Sequence, residues 1–442
     1  MDATGYLKQI LEADRTRQGD NETLPDFPDV LDEEALDVIL ADNSVRAVYQ
    51  PVIDIASEEV VGFEALARGP SGSPLEPPTP LFETASAANR VPELDWACRI
   101  KALEGALDGG VEPPLTLFLN IEARTAKDRP FPRPLPEAFT RSLSELNVIF
   151  EITERAMTEY PSELLEMVAV LREFGCGVAL DDLGADLRSL ALMPLLQPDV
   201  IKLDMRLVQQ HPNADVGQIA GAVQAQTEAP GAAVLAEGIE HEEHLFMAQA
   251  LGATLAQGFL FGAPDSLPER TPRPKSPVRI MPRPRQSRRT PFEVASEGRS
   301  VRVGNSSLLR ALSVQLEEFA GGLAQDGVLI GSFQQADRFQ GNARDRFSRL
   351  GRKLAFVAAL AEGLRSEPAE FVRGGRLAPN DPLIHEWAVV VIGPHIAAAL
   401  AARDRGDEGA NGERHFDFAV TYDREEVIEI ARLLLARIGP KD

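Results

Sequence analysis

Cysteine is nearly absent from this chain: two residues in 442, Cys98 and Cys176. Two thiols cannot build a disulfide framework, and each sits inside an apolar-periodic stretch, so buried free thiols are expected. Long apolar runs are missing as well. The longest, Trp387 to Ala402, is broken by Pro394 and His395 and is too short to span a bilayer. The first residues, MDATGYLKQILEADRTRQGDNE, lack a basic start and an apolar stretch, so no signal peptide is expected. Basic charge is scarce: 45 Lys and Arg stand against 68 Asp and Glu, a net charge of −23. That balance argues against a dedicated nucleic-acid binder, which rests on clustered Lys and Arg. Together these absences point to a cytoplasmic protein with neither a membrane segment nor a nucleic-acid partner.

What is present is enough for two or three domains, with an apolar content of 44% to fill their cores. Residues 1–35 form an acidic N-terminal segment with helical patterns at Tyr6–Ala13 and Glu33–Ala41. From 36 to 263, short β-branched or aromatic runs alternate with helical stretches. The runs are VRAVYQPVID, VVGFEALAR, LTLFLNIE, VIFEITE, GVALDD, VIKLD, AVLAEGIE and QGFLFG. Strands alternating with helices mean βα units and a mainly parallel sheet, and about eight of them suit a (β/α)8-like, TIM-type barrel. Residues 264–291 are rich in Pro and Arg and read as an extended linker lying against an acidic protein. Residues 292–442 read as a smaller α/β domain. There, strands are expected at GVLIGSF, WAVVVIG and HFDFAVTYD. Helices are expected at SSLLRALSVQLEEFAGG, ARDRFSRLGRKLAFVAALAEGL and REEVIEIARLLLARI, with another behind WAVVVIG.

The 36–263 strands share a feature: most end in a polar side chain. Glu64, Asn120, Glu151 with Glu154, Asp181 with Asp182, Lys202 with Asp204, and Glu237 all sit at or near strand ends. In barrels of this kind those ends line the mouth of the active site. Taken singly, each acid reads as readily as a cap for the following helix, and Glu240, Glu242 and Glu243 read as helix-start acids. Taken together, hard oxygen donors plus one lysine suggest Mg2+ or Mn2+. Adjacent aspartates can bridge two ions, and paired ions suit in-line phosphoryl displacement. On the residues alone the expectation is a two-metal phosphoester hydrolase.

The segment from Val45 to Ala263 also resembles the EAL family of cyclic di-GMP phosphodiesterases. The resemblance rests on YQP (Tyr49–Pro51), EALAR (Glu64–Arg68), FLN, EITE, the DD pair, IKLD, AEGIE and QGF. It implies that Glu64, Asn120, Glu151 and Asp181 hold one metal, and that Asp181, Asp182 and Glu237 hold the second. Lys202 would position the attacking water, with Glu64 and Glu237 also catalytic. Gln50, Arg68 and Gln257 would contact substrate, Arg68 through the donor fork that suits a phosphate oxygen. Glu154 would steady the loop after the DD pair. The substrate implied is cyclic di-GMP, the product linear pGpG, and the assembly a homodimer through this domain. One stretch departs from the pattern. Active members continue the DD pair with a Phe-Gly-Thr-Gly-Tyr-Ser-Ser-like loop, whereas this chain has Leu183-Gly184-Ala185-Asp186-Leu187-Arg188-Ser189. That departure keeps an alternative open: a catalytically weak or silent domain acting as a cyclic di-GMP receptor.

Residues 292–442 resemble the DICT domain, a sensory module found beside diguanylate cyclase and EAL domains. The resemblance rests on VVVIGPHIAAALAARD and HFDFAVTYDREEVIEIARLLLARI. It implies a regulatory domain that responds to a small ligand or protein, and it supplies no catalytic residues.

Overall fold

The structure, a computed structural model, describes residues 33–122, 137–153, 159–184, 189–210, 214–228, 231–281, 289–408 and 413–439. Two compact units are present, Met1–Phe150 with Gln257–Val278 and Glu151–Ala256 with Arg279–Asp442.

Eight strands close into a barrel in sequence order. They are β1 Arg46–Asp54, β2 Val60–Arg68, β3 Thr116–Asn120, β4 Asn147–Thr153, β5 Gly177–Leu183, β6 Val200–Leu203, β7 Ala233–Ala236 and β8 Leu255–Ala256. The TIM-type barrel expected from alternating strands and helices is therefore what this part of the chain forms. It departs from the regular version at its start, because β1 runs antiparallel to β2, with Gln50 opposite Glu64. The reason is local. Only the short connection Ile55–Glu59 joins the two, and a parallel crossover needs a dozen residues or more. Asp54 fixes that turn by accepting from the Ser57 amide at 2.8 Å. From β2 to β3 the ladder is parallel, as it is from β5 to β8. Gly62 in β2 has no substitute, since a Cβ there would lie 2.2 Å from the Thr116 carbonyl oxygen.

The helices of this part are α1 Glu33–Ala41, α2 Pro78–Ala87, α3 Val91–Asp108, α4 Glu137–Glu145 and α5 Pro161–Glu173. They continue with α6 Ser189–Leu196, α7 Met205–Gln209, α8 Ala214–Glu228 and α9 Glu242–Ala250. Proline opens α2, α3 and α5 in the first turn, where its missing N–H costs no helical bond. Both cysteines are buried and free, as their apolar surroundings predict. The expected strand at QGFLFG is corrected. The eighth strand is Leu255–Ala256, and Gly258 begins a turn in which its carbonyl accepts from the Phe261 amide at 3.0 Å. No helix among the described residues is long and apolar enough to cross a membrane.

The basic linker lies on acidic partners: Arg273 pairs with Glu112 at 2.5 Å, and Lys275 with Glu59 at 2.8 Å. Such exposed pairs contribute little individually.

The C-terminal sheet has seven strands in the order β12-β11-β10-β13-β14-β15-β9. They are β9 Arg302–Asn305, β10 Val328–Gln335, β11 Phe356–Glu362, β12 Arg373–Leu377, β13 Glu386–Ile392, β14 Ala397–Glu408 and β15 Arg414–Thr421. Helices α10 Pro291–Ser296, α11 Ser306–Ala320, α12 Asn342–Gly351 and α13 Arg424–Leu435 accompany it. Two expected helices are corrected here. FVAALAE is β11, and the AAALAARD behind WAVVVIG is β14. Both lie inside the sheet, with nearly all of β11 and the Ala397–Ala402 half of β14 buried. A strand buried on both faces reads as a continuous apolar run without alternation. Pairing on both edges then overrides alanine's helical preference, which is worth only tenths of a kcal/mol per residue, roughly 0.7 at most.

Within the second unit, α13 packs against α5 and α6. Arg432 on α13 donates to Gln197 Oε1 at 2.5 Å, and Gln218 donates to Asp326 at 2.5 Å.

Candidate active site

The predicted residues fall into two groups, most of them in or just after the carboxyl half of a barrel strand. In the first unit, Glu64 is almost fully buried and both its oxygens are held. Asn120 Nδ2 donates to Oε1 at 3.1 Å, and Gln257 Nε2 donates to Oε2 at 2.6 Å. Gln257 Nε2 also reaches Gln50 Oε1 at 2.9 Å, and Gln50 in turn donates to the Gly262 carbonyl at 3.0 Å. Side chains from β1, β2, β3 and the segment after β8 therefore fix one carboxylate. Arg68 stands four residues beyond Glu64 on the same strand face, roughly 13 Å along it at about 3.3 Å per residue. Its Nη1 donates to the Ala67 carbonyl at 2.8 Å. Burial first, then the charge of Arg46, lowers its pKa from the ordinary guanidinium value, and it stays a cation. Tyr49 of the YQP motif is a core pin. Its hydroxyl donates to the Ala102 carbonyl at 2.9 Å, and burial pushes its pKa well above the usual phenol value.

In the second unit, Lys202 on β6 is buried to 1% exposure, and its ammonium lies among three carboxylates. Nζ is 2.7 Å from Glu151 Oε1, 3.0 Å from Asp181 Oδ1 and 2.7 Å from Glu237 Oε1. Asp181, Asp182 and Glu237 can each offer an oxygen within 4.8 Å of the others. Adjacent residues of a regular strand point to opposite faces, so two neighbouring aspartates should not share a site. Here the β5–β6 register shifts between Leu180 and Leu183, and Asp182 adopts a left-handed φ of 59°. The bulge turns both carboxylates toward Glu237. It is a costly conformation for a residue with a side chain, of the kind that clusters at functional sites.

Glycine at 238 supports the same group. It follows Glu237 with φ 67°, and a Cβ there would meet Met205 Cβ at 2.4 Å. Neither the bulge nor this contact leaves a sequence signal beyond DD and EG. The capping alternative does hold for Asp204, which accepts from the Arg206 amide at 2.8 Å at the start of α7. Glu242 and Glu243 do open α9 as helix-start acids, and His244 Nδ1 accepts from the Glu240 amide at 3.3 Å. Glu154 and residues 185–188 lie outside the described residues.

Among the described residues, Asp181, Asp182, Glu237 and Glu151 set four carboxylates, two buried and two half-buried, against the ammonium of Lys202, an excess of negative charge carried by hard oxygen donors. That donor set suits a divalent cation of the Mg2+ or Mn2+ type and no thiolate-seeking metal.

Fold and site thus define a closed eight-stranded barrel with an acidic, metal-competent cluster at its strand ends. The chain belongs to the EAL domain family, whose model matches residues 33–264. A second model, the sensory domain in diguanylate cyclases and two-component systems (DICT), matches residues 292–405. The HFDFAVTYD motif lies beyond that second match. Cyclic di-GMP phosphodiesterase RocR of Pseudomonas aeruginosa is 30% identical over 256 residues, 57% of this chain and 64% of the relative. Cyclic di-GMP phosphodiesterase PA2567 of the same organism is 30% identical over 230 residues, 50% of this chain and 38% of the relative. The chain thus spans less than two thirds of these relatives' length. Among solved structures, the FimX EAL domain from Pseudomonas aeruginosa bound to c-di-GMP is 20% identical. It covers 53% of this chain and 96% of that one, with a TM-score of 0.45.

Proposed function

We propose that this protein hydrolyses cyclic di-GMP to linear pGpG in a divalent-metal-dependent reaction, under regulation by its C-terminal domain. The observation that carries the reading is Lys202, a buried ammonium within 3.0 Å of three strand-end carboxylates, beside the Asp181–Asp182–Glu237 oxygens. Glu64, Asn120, Glu151 and Asp181 would hold one ion, and Asp181, Asp182 and Glu237 the other. When bound, Mg2+ or Mn2+ supplies Lewis acidity at the phosphoryl oxygens and acidifies a water.

The chain's own residues do the rest. Lys202 orients the attacking water and offsets the charge that builds on the phosphoryl oxygens. Glu237 has the most accessible side chain of its three partners, 20% exposed, and would take up the water's proton. Glu64 is pre-set by the amides of Asn120 and Gln257, so its oxygens need no reorganisation when a cation arrives. Gln50 and Gln257 meet the substrate, and Arg68 offers a two-pronged donor to a phosphate oxygen. Glu154 steadies the segment after the DD pair, and the barrel pairs with a second copy in a homodimer.

The test is chromatographic: purified full-length protein, cyclic di-GMP and Mg2+ or Mn2+, with pGpG followed over time. Product is expected, with its loss in EDTA and in Glu64→Ala. No product above the Glu64→Ala control overturns the enzymatic reading. A second reading is favoured by the loop sequence, where Ala185 and Asp186 replace a hydroxyl and a glycine of the active pattern. In that reading the domain is a receptor, and it predicts tight cyclic di-GMP binding in EDTA without pGpG.

A further inference from the structure

Helix α3 carries a charged pair on its buried face. Leu94, Cys98 and Ala102 make that face apolar, yet Asp95 and Arg99 stand in it, 4% and 3% exposed. Arg99 Nη2 donates to Asp95 Oδ2 at 2.6 Å, and its guanidinium lies 5.0 Å from the centre of the Trp96 ring. Such a pair is a poor device for stability, because apolar residues of similar volume often serve as well or better. Nor are its hydrogen bonds complete: Arg99 Nη1 is buried without a partner among the described residues. Leucine and methionine would fill the same space. What they would lack is an acceptor.

The Asp95 carboxylate uses that capacity on another element. Burial raises the pKa of Asp95 from the ordinary carboxylate value, while the charge of Arg99 and a hydrogen bond from the Glu122 backbone amide oppose the rise. Glu122 lies two residues past the end of β3, and Ile121 between them is buried. β3 ends on Asn120, which is exposed after four buried residues and donates to Glu64 Oε1 at 3.1 Å. Being exposed, Asn120 has little packing to fix it, but the backbone just beyond it is tied to α3. The same helix is fixed to β1, where the Tyr49 hydroxyl donates to the Ala102 carbonyl. β1 carries Gln50, which accepts from Gln257 Nε2, the donor to the other oxygen of Glu64. Helix α3 therefore braces both amides that hold Glu64, one through Asp95 and one through Tyr49.

We propose that Asp95 is a positioning residue that acts through the Glu122 amide to aim Asn120 at a divalent cation shared with Glu64. Arg99 keeps the Asp95 carboxylate ionised and oriented, and an ionised acceptor holds an amide more strongly than a neutral one. The inference rests on the reading that Asn120 and Glu64 hold such a cation.

The experiment follows Mn2+ binding to the whole chain without substrate, by electron paramagnetic resonance of the free ion. Asp95→Leu combined with Arg99→Met keeps the volume and removes both charges, so the melting transition in EDTA is expected to be retained. Mn2+ affinity is expected to fall by about tenfold or more, the usual consequence of losing a group that orients a metal ligand. Asp95→Asn keeps an oxygen able to accept from Glu122 and is expected to stay within about threefold of the parent. In an Asn120→Ala background the apolar pair is expected to cost nothing further, because the group it orients is already gone. One measurement needs no variant: the amide of Glu122, an exposed residue, is expected to exchange its hydrogen slowly in EDTA. Four results each overturn the proposal: unchanged affinity with the apolar pair, a loss that adds in full to that of Asn120→Ala, an equal loss in Asp95→Asn, or rapid exchange at Glu122. Mn2+ binding indifferent to Asn120→Ala overturns the metal reading itself, and this inference with it.

Discussion

Replacing Lys202 with methionine removes one buried positive charge and little volume. The ammonium lies 2.7, 3.0 and 2.7 Å from Glu151, Asp181 and Glu237, and the Glu151 side chain is fully buried. Without it, carboxylates that were tied to a cation face one another in a region water hardly reaches. Breaking a buried ion pair by removing one partner costs about 3–5 kcal/mol. For a domain of this size each kcal/mol moves the melting point by about 2–4 °C, so a fall of about 6–20 °C is expected for the barrel in EDTA.

Excess Mn2+ should shrink the deficit, by restoring positive charge to the same oxygens. Because two domains need not melt together, the barrel is followed through Trp96 in a Trp387→Phe background. A variant in EDTA within about 1 kcal/mol of the parent at pH 8, or a deficit that excess Mn2+ leaves unchanged, would refute the electrostatic account of the cluster.

Burial raises the pKa of both Cys98 and Cys176 to about 12, with Asp95 adding to the effect at Cys98. Both thiols should therefore resist a thiol reagent at pH 8 until the protein is denatured; rapid labelling of the native protein would contradict their burial. The raised folded values mean stability that is complete below the unfolded pKa of about 9 and lost as pH climbs towards 12, at about 1.4 kcal/mol per unit per thiol. Denaturant midpoints of a Cys98→Ala, Cys176→Ala protein should accordingly fall less steeply above pH 9 than the parent's. At the contact between α13 and the barrel, a double-mutant cycle of Arg432→Ala and Gln197→Ala should show a coupling of about 1–2 kcal/mol in unfolding free energy. Additivity within about 0.3 kcal/mol would mean the bond contributes nothing.

Much of the barrel was legible because its strands are short, buried and punctuated by polar residues at their ends. Glu64, Asn120, Glu151, Asp181, Asp182, Lys202 and Glu237 stand out for that reason. The eighth strand was misplaced by a few residues because QGFLFG carries the aromatic content of a strand while its glycines make a turn. In the C-terminal domain, β11 and β14 were hidden by alanine: AAALAARD has no alternation to betray a strand, and only pairing on both sides decides the matter. The backbone geometry of these places was not legible at all. Nothing in the letters DD announces a bulge with Asp182 at positive φ, and nothing in FQQ announces Gln334 at positive φ. Both are places where backbone geometry, rather than residue type, re-aims a side chain.

The second unit also joins the C-terminal domain to the barrel by continuous packing. Trp387 and Val389 of β13 line a cavity of the C-terminal domain, and α13 packs on β13 and β14. The same helix meets α6, with Arg432 bonded to Gln197 just past the end of α6. Gln197 is also held from α5, where Arg172 donates to its carbonyl at 2.6 Å. At its other end α6 begins at Ser189, a few residues after Asp181 and Asp182. Cavity, strand, helix and metal-competent aspartates thus form one chain of contacts. Contiguity alone does not transmit anything, since coupling requires an element with two arrangements that both ends bias. The element with the right connections is α6, whose interior Pro194 removes a helical hydrogen bond and weakens its own ladder. If α6 is that element, an ion bound at the aspartates must change the Arg432–Gln197 coupling energy itself. A rigid spacer would leave that energy the same in excess Mn2+ and in EDTA.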